Sequence, residues 1–414
     1  MIKRLNASKL FQDTDLCVKC GLCVPHCPTY RKTLDENESP RGRIALIQAW
    51  STGELEDTPS LRRHLDNCLL CRTCESLCPA RVPYAKLMDR FRSAAGKGKQ
   101  SFAVEGLSVL SRAVLPNQRL SGIAARVARS LQSTGILPAL SKLIPAAQAL
   151  QSFLADIKPR RSRKTFYSTR FSRRGCAGLF VGCTGELFDA ETIDATIRVL
   201  DRLGFDVLIA PDQKCCGALD LHSGDAGRAG EFALANLKAF EQTEIDWIVT
   251  LATGCGAMIK EYPLYFTGAE GFSSKVIDVC EFVHRSDRFP AIALEPLPAE
   301  LLIHTPCSLA NVLKTAEAPQ KLVEAIPDAR ISALNPSLRC CGAAGNYMLE
   351  HPKMAGALRQ DMLDSVKEKK PDYLLTTNIG CALHLRAGLR LQKIHTEVMH
   401  PIVLLDRQSQ KAET

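Results

Sequence analysis

Residues 17–28 read CVKCGLCVPHCP, and the same cysteine spacing returns at residues 68–79 as CLLCRTCESLCP. Each copy has the pattern C-x2-C-x2-C-x3-C-P. Its first three thiolates can wrap one side of a [4Fe–4S] cube while the loop amides turn towards the sulfides. The fourth cysteine follows a longer gap, and the proline after it carries the chain away. The pattern therefore predicts that both motifs hold iron–sulfur clusters.

Where two such motifs occur together, as in bacterial two-cluster ferredoxins, the fourth cysteine of each motif ligates the cluster of the other. We therefore predict one [4Fe–4S] cluster on Cys17, Cys20, Cys23 and Cys78. The second predicted cluster is held by Cys27, Cys68, Cys71 and Cys74. Zinc and a disulfide framework are the alternatives. Zinc sites usually close with two paired C-x2-C knuckles or with histidines, which disfavours zinc for two complete motifs of this kind.

The segment between the motifs, residues 28–67, is predicted to form a helical hairpin packed over the clusters. Ser39 and Pro40 stand ahead of an apolar run, which is a helix start. Arg41 and Arg43 in that first turn are candidates for lying near a cluster and raising its reduction potential; a solvated first turn is the alternative. The prediction is a helical two-cluster ferredoxin-type domain over residues 1–90.

The 414-residue chain is long enough for two or three domains, and its composition, 46% hydrophobic and 23% charged, is ordinary for a soluble protein. Its 18 cysteines are unusual. Residues 1–11 lack the apolar region of a signal peptide, and no apolar run reaches the roughly 18 residues of a membrane span. These features predict a cytoplasmic, reducing setting, in which cysteines bind metal instead of forming disulfides.

Basic residues are concentrated in residues 91–175, which hold 16 Lys and Arg against two acidic residues, in a chain of net charge +9. The apolar spacing predicts short helices, so we expect a basic helical connector. Two interpretations remain open: helices that pack between domains beside a solvated linker, or a surface that docks at an anionic membrane. Nothing resembles a nucleic-acid-binding module, and no nucleic-acid partner is expected.

The second half of the chain repeats one cysteine pattern. The first copy consists of Cys183, Cys215, Cys216 and Cys255. The second copy consists of Cys307, Cys340, Cys341 and Cys381, at offsets of 124 to 126 residues. The flanking residues agree as well, since WIVTLATGC at 247–255 matches YLLTTNIGC at 373–381. This agreement predicts an internal duplication, with domains over residues 176–295 and 296–414.

Each copy alternates short apolar runs with helical patterns, which predicts a parallel sheet covered by helices. The predicted strands are residues 179–181, 206–210 and 247–250 in the first copy, and 301–304 and 373–376 in the second. Each cysteine group then lies near the carboxyl end of a strand, where open α/β sheets collect ligands. The overall prediction is an α plus α/β protein: the ferredoxin-type domain, the connector and two duplicated α/β domains.

Twin ferredoxin motifs followed by two Cys-Cys-Gly (CCG) repeats resemble the glycolate oxidase iron–sulfur subunit family, over residues 10–405 and in the same order. The matching stretches include PRGR at 40–43, RVLDRLG at 198–204, CCG at 215–217, SL at 308–309 and NIGC at 378–381. Iron–sulfur subunits of lactate utilisation, of anaerobic glycerol-3-phosphate dehydrogenase and of heterodisulfide reductase share the CCG unit but match the whole chain less well.

The resemblance implies an electron-transfer subunit of a multi-subunit glycolate (2-hydroxy acid) oxidase or dehydrogenase. FAD-containing partner subunits would oxidise glycolate to glyoxylate, and electrons would pass through this chain towards a membrane quinone or another acceptor. A peripheral position on the cytoplasmic face of the inner membrane would follow. This chain has no G-x-G-x-x-G fingerprint, so we expect neither a flavin nor a catalytic residue on it. The alternatives are a subunit of a related lactate or glycerol-3-phosphate dehydrogenase, and a heterodisulfide-reductase-like enzyme.

The eight repeat cysteines are candidate ligands of additional metal centres. In heterodisulfide reductase a fifth cysteine closes the unit, whereas Met258 and His384 stand at that offset here. This departure argues against disulfide reduction and leaves open an iron–sulfur cluster, a zinc ion, a different redox group or a redox-active thiol pair. We expect His384 to be packed on a helix more readily than to ligate a metal. Cys176 and Cys280, outside the pattern, are predicted to be buried packing residues.

Overall fold

The computed structural model of the chain describes residues 12–96, 102–133, 155–157, 162–241, 244–335 and 340–412. The predicted connector is therefore described only in part, because residues 97–101, 134–154 and 158–161 lie outside these ranges. The architecture agrees with the predicted α plus α/β class: a helical N-terminal part precedes two separate, mainly parallel sheets.

Short helices surround the two ferredoxin-type motifs. They are α1 (Pro28–Thr33), α2 (Pro40–Ser51), α3 (Pro59–Asp66), α4 (Thr73–Ser76) and α5 (Tyr84–Ala95). Helix α2 begins at the predicted start, because Pro40 occupies its first turn and the Ser39 hydroxyl accepts a hydrogen bond from the Gly42 N–H. Ile47 of α2 and Leu65 of α3 are fully buried in one core, so the segment between the motifs is the expected helical hairpin.

Two helices of the connector lie among the described residues. They are α6 (Phe102–Val114) and α7 (Gln118–Ser133). Helix α6 packs on the second repeat, where Ser108 Oγ donates to Glu350 Oε1 at 2.5 Å and Ser111 Oγ donates to Asn346 Oδ1 at 3.0 Å. This part of the connector therefore packs between domains. Across the described ranges, no helix has both the length and the apolar character needed to cross a membrane.

The first repeat forms a five-stranded sheet in the order β1-β3-β2-β4-β5. The strands are β1 (Phe166–Tyr167), β2 (Gly175–Phe180), β3 (Phe205–Leu208), β4 (Trp247–Thr250) and β5 (Val276–Asp278). Strand β1 pairs antiparallel with β3; the other pairs are parallel. The sequence predicted neither β1 nor β5. The helices are α8 (Gly185–Phe188), α9 (Ala190–Arg202), α10 (Ala218–Leu221), α11 (Ala226–Glu241), α12 (Thr253–Lys260), α13 (Tyr262–Tyr265), α14 (Glu270–Ser274) and α15 (Val279–His284).

The second repeat forms a parallel four-stranded sheet in the order β7-β6-β8-β9. Its strands are β6 (Glu300–His304), β7 (Arg330–Ala333), β8 (Tyr373–Thr376) and β9 (Glu397–Met399). The helices are α16 (Ala318–Glu324), α17 (Tyr347–Glu350), α18 (Pro352–Lys369), α19 (Ile379–Leu391) and α20 (Pro401–Ala412). This order matches β3-β2-β4-β5 of the first repeat strand for strand, as expected of a duplication.

One apolar core joins the two repeats. It includes Val199 of α9, Leu322 of α16 and Leu405 of α20, all fully buried. Helix α20 is also tied to α9 by charge, because Arg198 and Arg202 both pair with the buried Asp406, at 2.6 Å and 3.0 Å. The two repeats are therefore packed as one unit.

Candidate metal centres

The eight ferredoxin-type cysteines line two pockets, and each pocket combines both sequence motifs. The first pocket is lined by Cys17, Cys20, Cys23 and Cys78, and also by Cys74. The second pocket is lined by Cys27, Cys68, Cys71 and Cys74. Each predicted set of four cysteines thus faces one pocket, with the fourth cysteine of each motif beside the first three of the other.

The two motif loops share an unusual backbone conformation. Lys19 and Leu70, at equivalent positions, have φ of 55° and 51°, and the equivalent pair Gly21 and Arg72 have φ of 85° and 61°. Where left-handed residues alternate with right-handed ones, successive backbone N–H groups point into one concavity. This geometry is found at anion and iron–sulfur sites. A Cβ at position 21 would lie 2.7 Å from Nη1 at the flexible end of the Arg41 side chain, whereas the equivalent position in the second motif is held by Arg72. The loops are therefore shaped to surround an anionic centre.

A buried charge network supports the second pocket. Arg43 is only 1% exposed and donates from Nη2 to Thr29 Oγ1 at 3.0 Å and to Glu38 Oε2 at 2.5 Å. Its Nε donates to the His64 carbonyl at 2.7 Å, and its Nη1 lies 3.9 Å from Cys27 Sγ. Burial opposes the charged guanidinium, but the surrounding acidic groups raise the pKa of Arg43, so the cation persists beside the thiols.

All eight CCG cysteines line one central cavity of about 330 Å³. Cys68 and Cys71 of the second ferredoxin motif line the same cavity. The cavity therefore lies where the ferredoxin-type part and both repeats meet, a junction that the sequence did not predict. Within the repeats, Cys215 Sγ lies 3.5 Å from Cys183 Sγ, and Cys341 Sγ lies 2.7 Å from Cys381 Sγ.

Backbone conformation and close packing explain why a glycine follows the two cysteines in each CCG motif. Gly217 and Gly342 have φ of 84° and 83°, in the left-handed region that favours glycine. A Cβ at Gly342 would lie 2.7 Å from the Ala355 carbonyl oxygen, and one at Gly217 would lie 3.1 Å from that of Ala229. Only glycine lets the vicinal cysteines turn into the cavity while the following chain packs this closely.

Five thiols of the central cavity have a raised pKa: Cys183, Cys215, Cys216, Cys340 and Cys341. A hydrogen bond with Cys215 and then burial raise the pKa of Cys183, and a bond with Cys307 and then burial raise that of Cys340. The pKa of Cys307 is lowered, because Cys340 donates its S–H to it. Bound metal deprotonates coordinating thiols outright. Such thiols suit metal ligation better than they suit free nucleophilic chemistry.

Each of the two ferredoxin-type pockets is lined by the four cysteines predicted for one cluster. A cubane spreads its four thiolates over four irons. The donors present in both ferredoxin-type pockets, four cysteines each, fit a [4Fe–4S] cluster.

Contacts from both repeats hold the second motif loop against the cavity. Asn311 Nδ2 donates to the Cys71 carbonyl at 2.7 Å and to Thr73 Oγ1 at 3.2 Å. Arg72 pairs with Glu261 of the first repeat. The loop that carries Cys71 is thus fixed between the repeats.

The comparisons with known proteins agree with this geometry. Residues 13–82 match the model of a 4Fe-4S dicluster domain, and residues 177–260 and 301–386 match that of a cysteine-rich domain. The glycolate oxidase iron-sulfur subunit of Escherichia coli is 32% identical over 99% of this chain and 98% of its own length. The chain belongs to the glycolate oxidase iron–sulfur subunit family. The probable glycolate oxidase iron-sulfur subunit of Bacillus subtilis is 30% identical over 92% of this chain and 90% of its own length. Lactate utilization protein A of a Geobacillus strain is 28% identical over 54% of this chain.

In this member of the glycolate oxidase iron–sulfur subunit family, three residues that the sequence singled out lie away from the cavity lining. His384 Nε2 bonds to the Ala355 carbonyl at 3.2 Å, and burial lowers its pKa to about 4. Cys176 and Cys280 are buried, as predicted for packing residues.

The sequence did not predict a role for Asp89, His222 or Tyr265. His222 lines the cavity, and Asp89 lies behind it. Nothing in the sequence links residues so far apart.

Proposed function

We propose that the chain is the electron-transfer subunit of a glycolate (2-hydroxy acid) oxidase or dehydrogenase, with one [4Fe–4S] cluster in each ferredoxin-type pocket. The observation that carries this proposal is the division of the eight motif cysteines between two pockets, each drawing on both motifs. Clusters bound there supply reversible one-electron transfer. The chain's own residues hold the thiolates, keep water away and, through Arg43, place a fixed positive charge beside Cys27.

The CCG cysteines are proposed to hold additional iron–sulfur centres in the central cavity. Their support is the set of eight thiols, mostly resistant to ionisation, around one cavity that Cys71 also lines. Cys71 would then belong to a cubane and border the next centre, which makes the second pocket the relay between the two halves of the chain. Zinc or a redox-active thiol pair are the alternatives for these cysteines.

Electrons are proposed to arrive from FAD-containing partner subunits that oxidise glycolate to glyoxylate, with no flavin on this chain. A quinone is the proposed acceptor, and a peripheral position on the cytoplasmic face of the inner membrane is the proposed location. The match to lactate utilization protein A supports a second candidate, in which the same electron path serves lactate in place of glycolate.

The first test is to measure iron, acid-labile sulfide and zinc per chain in anaerobically purified protein. About 12 to 16 iron atoms per chain would support clusters in all the proposed sites, whereas about eight would restrict them to the ferredoxin-type pockets. Fewer than about eight, or zinc in their place, would contradict the two-cubane proposal. To identify the substrate, the purified complex is given glycolate and lactate, and the reduction of its visible iron–sulfur absorption is followed.

A further inference from the structure

Part of the cavity wall has no role in holding metal. Arg92 of α5, Arg112 of α6 and His222, which follows α10, line the same cavity as the CCG cysteines. Gly96 and His222 are exposed, so among the described residues the cavity reaches solvent on this side. The cavity volume of about 330 Å³ includes the space that the proposed metal centres would take up beside the CCG cysteines. The wall formed by Arg92, Arg112 and His222 carries no proposed metal ligand, and it is the side at which a small molecule would lie next to those centres.

His222 belongs to a hydrogen-bonded chain that starts in the protein interior. Its Nδ1 lies 2.9 Å from Asp89 Oδ1, and the Tyr265 hydroxyl donates to Asp89 Oδ2 at 2.9 Å. The Asp89 side chain is 1% exposed and that of His222 is 42% exposed. A buried carboxylate that fixes one ring nitrogen orients the imidazole and leaves Nε2 for another partner. This is the arrangement of a positioned proton donor at a cavity wall.

The outer side of the adjoining helices is apolar. Ser108 and Arg112 of α6 line the cavity, while Val109 and Leu110 between them are 45% and 57% exposed. On α7 the exposed apolar side chains are Leu120, Ile123 and Val127. Exposed Arg119 and Arg126 flank them, so the surface combines apolar and cationic groups, as helices at an anionic bilayer surface do. A lipophilic ligand would meet this surface on its way to the cavity.

We propose that the central cavity binds a lipophilic quinone from the membrane and that His222 delivers protons to its carbonyl oxygens. The inference rests on the proposed function, because the reduced iron–sulfur centres are the electron source. Two electrons and two protons convert the two carbonyls of a quinone into the two hydroxyls of a hydroquinone. His222 gives the first proton from Nε2, is reprotonated by solvent at its exposed edge, and gives the second. A protein acceptor of single electrons would need neither a cavity nor a proton donor.

The binding test uses decylubiquinone, a short-chain quinone, titrated calorimetrically into the anaerobically purified, iron-loaded chain. We expect saturable binding to the wild type and its loss in Ser223→Trp, since Ser223 lines the cavity and a tryptophan there would fill it. His395→Gln is the matched control, because His395 is exposed and does not line the cavity. Wild-type binding by Ser223→Trp, or no saturable binding by the wild type, would overturn the site.

The proton-transfer test follows reoxidation of the dithionite-reduced chain by decylubiquinone in a stopped-flow instrument. His222→Gln keeps a hydrogen-bond donor near Asp89 but cannot donate a proton. We expect its maximal rate to fall by about 10²-fold at an unchanged half-saturating quinone concentration, while His395→Gln behaves as wild type. Each rate is divided by that for ferricyanide, which takes an electron without a proton, to correct for changes in the centres. An unchanged ratio in His222→Gln would refute the proton-donor role.

The same preparation separates the two proposals. A chain that binds no iron would contradict the proposed function itself. An iron-loaded chain that ferricyanide oxidises and decylubiquinone does not would overturn the quinone site and the quinone as acceptor, and would leave the electron-transfer role of the iron–sulfur centres standing.

Discussion

The side-chain amide of Asn311 donates a hydrogen bond to the backbone carbonyl of Cys71, with 2.7 Å between nitrogen and oxygen. Asn311 belongs to the second repeat and Cys71 to a ferredoxin-type motif, so this bond joins the two proposed parts of the electron path. It also fixes the loop whose cysteine borders both the second pocket and the central cavity.

Asn311→Ala should loosen this junction. It leaves the Cys71 carbonyl without its donor, at an expected cost of about 1–3 kcal/mol in the free energy of unfolding. We expect the EPR signal of the cluster in the second pocket to shift or broaden in a redox titration, while that of the first pocket stays unchanged. Gln320→Ala, which removes an exposed amide that donates to Glu324, is the control and should alter neither signal.

Serine substitutions should separate the two ferredoxin-type clusters. Cys20→Ser is expected to disturb only the cluster of the first pocket, and Cys71→Ser only that of the second. Iron analysis and reduced-state EPR measure the loss. Cys176→Ala, at a buried cysteine that lines none of the three sites, should keep the full iron content. Unchanged iron and EPR in Cys71→Ser would show that the ligand assignment is wrong.

Replacing Arg43, which is buried at the second pocket, should destabilise the protein far more than replacing the more exposed Arg41. Arg43→Met leaves Glu38 without its guanidinium partner in the core, for which we expect a loss of about 3–5 kcal/mol in urea unfolding. Arg41→Met removes a pair whose side chains are 36% and 51% exposed, and should cost about 1 kcal/mol or less. Equal destabilisation by the two substitutions would contradict the buried network around Arg43.

The free energy of unfolding should decrease as pH rises, because of Asp278. Burial raises its pKa to about 7, although its Oδ1 accepts a hydrogen bond from the Cys280 N–H at 2.9 Å. The folded state thus holds a proton that the unfolded state has released, and this group's contribution is lost as pH rises from about 4 to about 7. Asp278→Asn keeps a side-chain oxygen that can accept from the Cys280 N–H, and it cannot ionise. We therefore expect the free energy of unfolding of this variant, measured in urea, to lack this dependence on pH and to exceed that of the wild type at pH 8. Parallel pH profiles for the two proteins would rule out the shift.

The sequence predicted the features that short-range patterns specify. Cysteine spacing and the helix start at Ser39 are local and were found where expected, and β2, β3, β4, β6 and β8 overlap the predicted apolar runs. Strands β5, β7 and β9 were not predicted. Strand β1 was missed because two residues carry no periodicity and their pairing partners, Val207 and Leu208, are distant in the chain. Sequence also did not separate buried Arg43 from exposed Arg41, since both stand in one helical turn.

The site could be predicted only as separate sets of ligands. The eight CCG cysteines border one cavity because of how the repeats and the ferredoxin-type part pack together. The spacing of cysteines along the sequence does not specify such long-range packing. The contact between Asp89 and His222 arises in the same way, from two domains that meet.

Helix α20 has a consequence for how the protein is made. Asp406 on this helix pairs with Arg198 across 208 residues of chain, and the neighbouring apolar side chains complete the core that α9 begins. While a ribosome synthesises the protein, α9 and its own sheet emerge long before α20. The part of the core that α20 covers is therefore completed only after the second repeat has been translated.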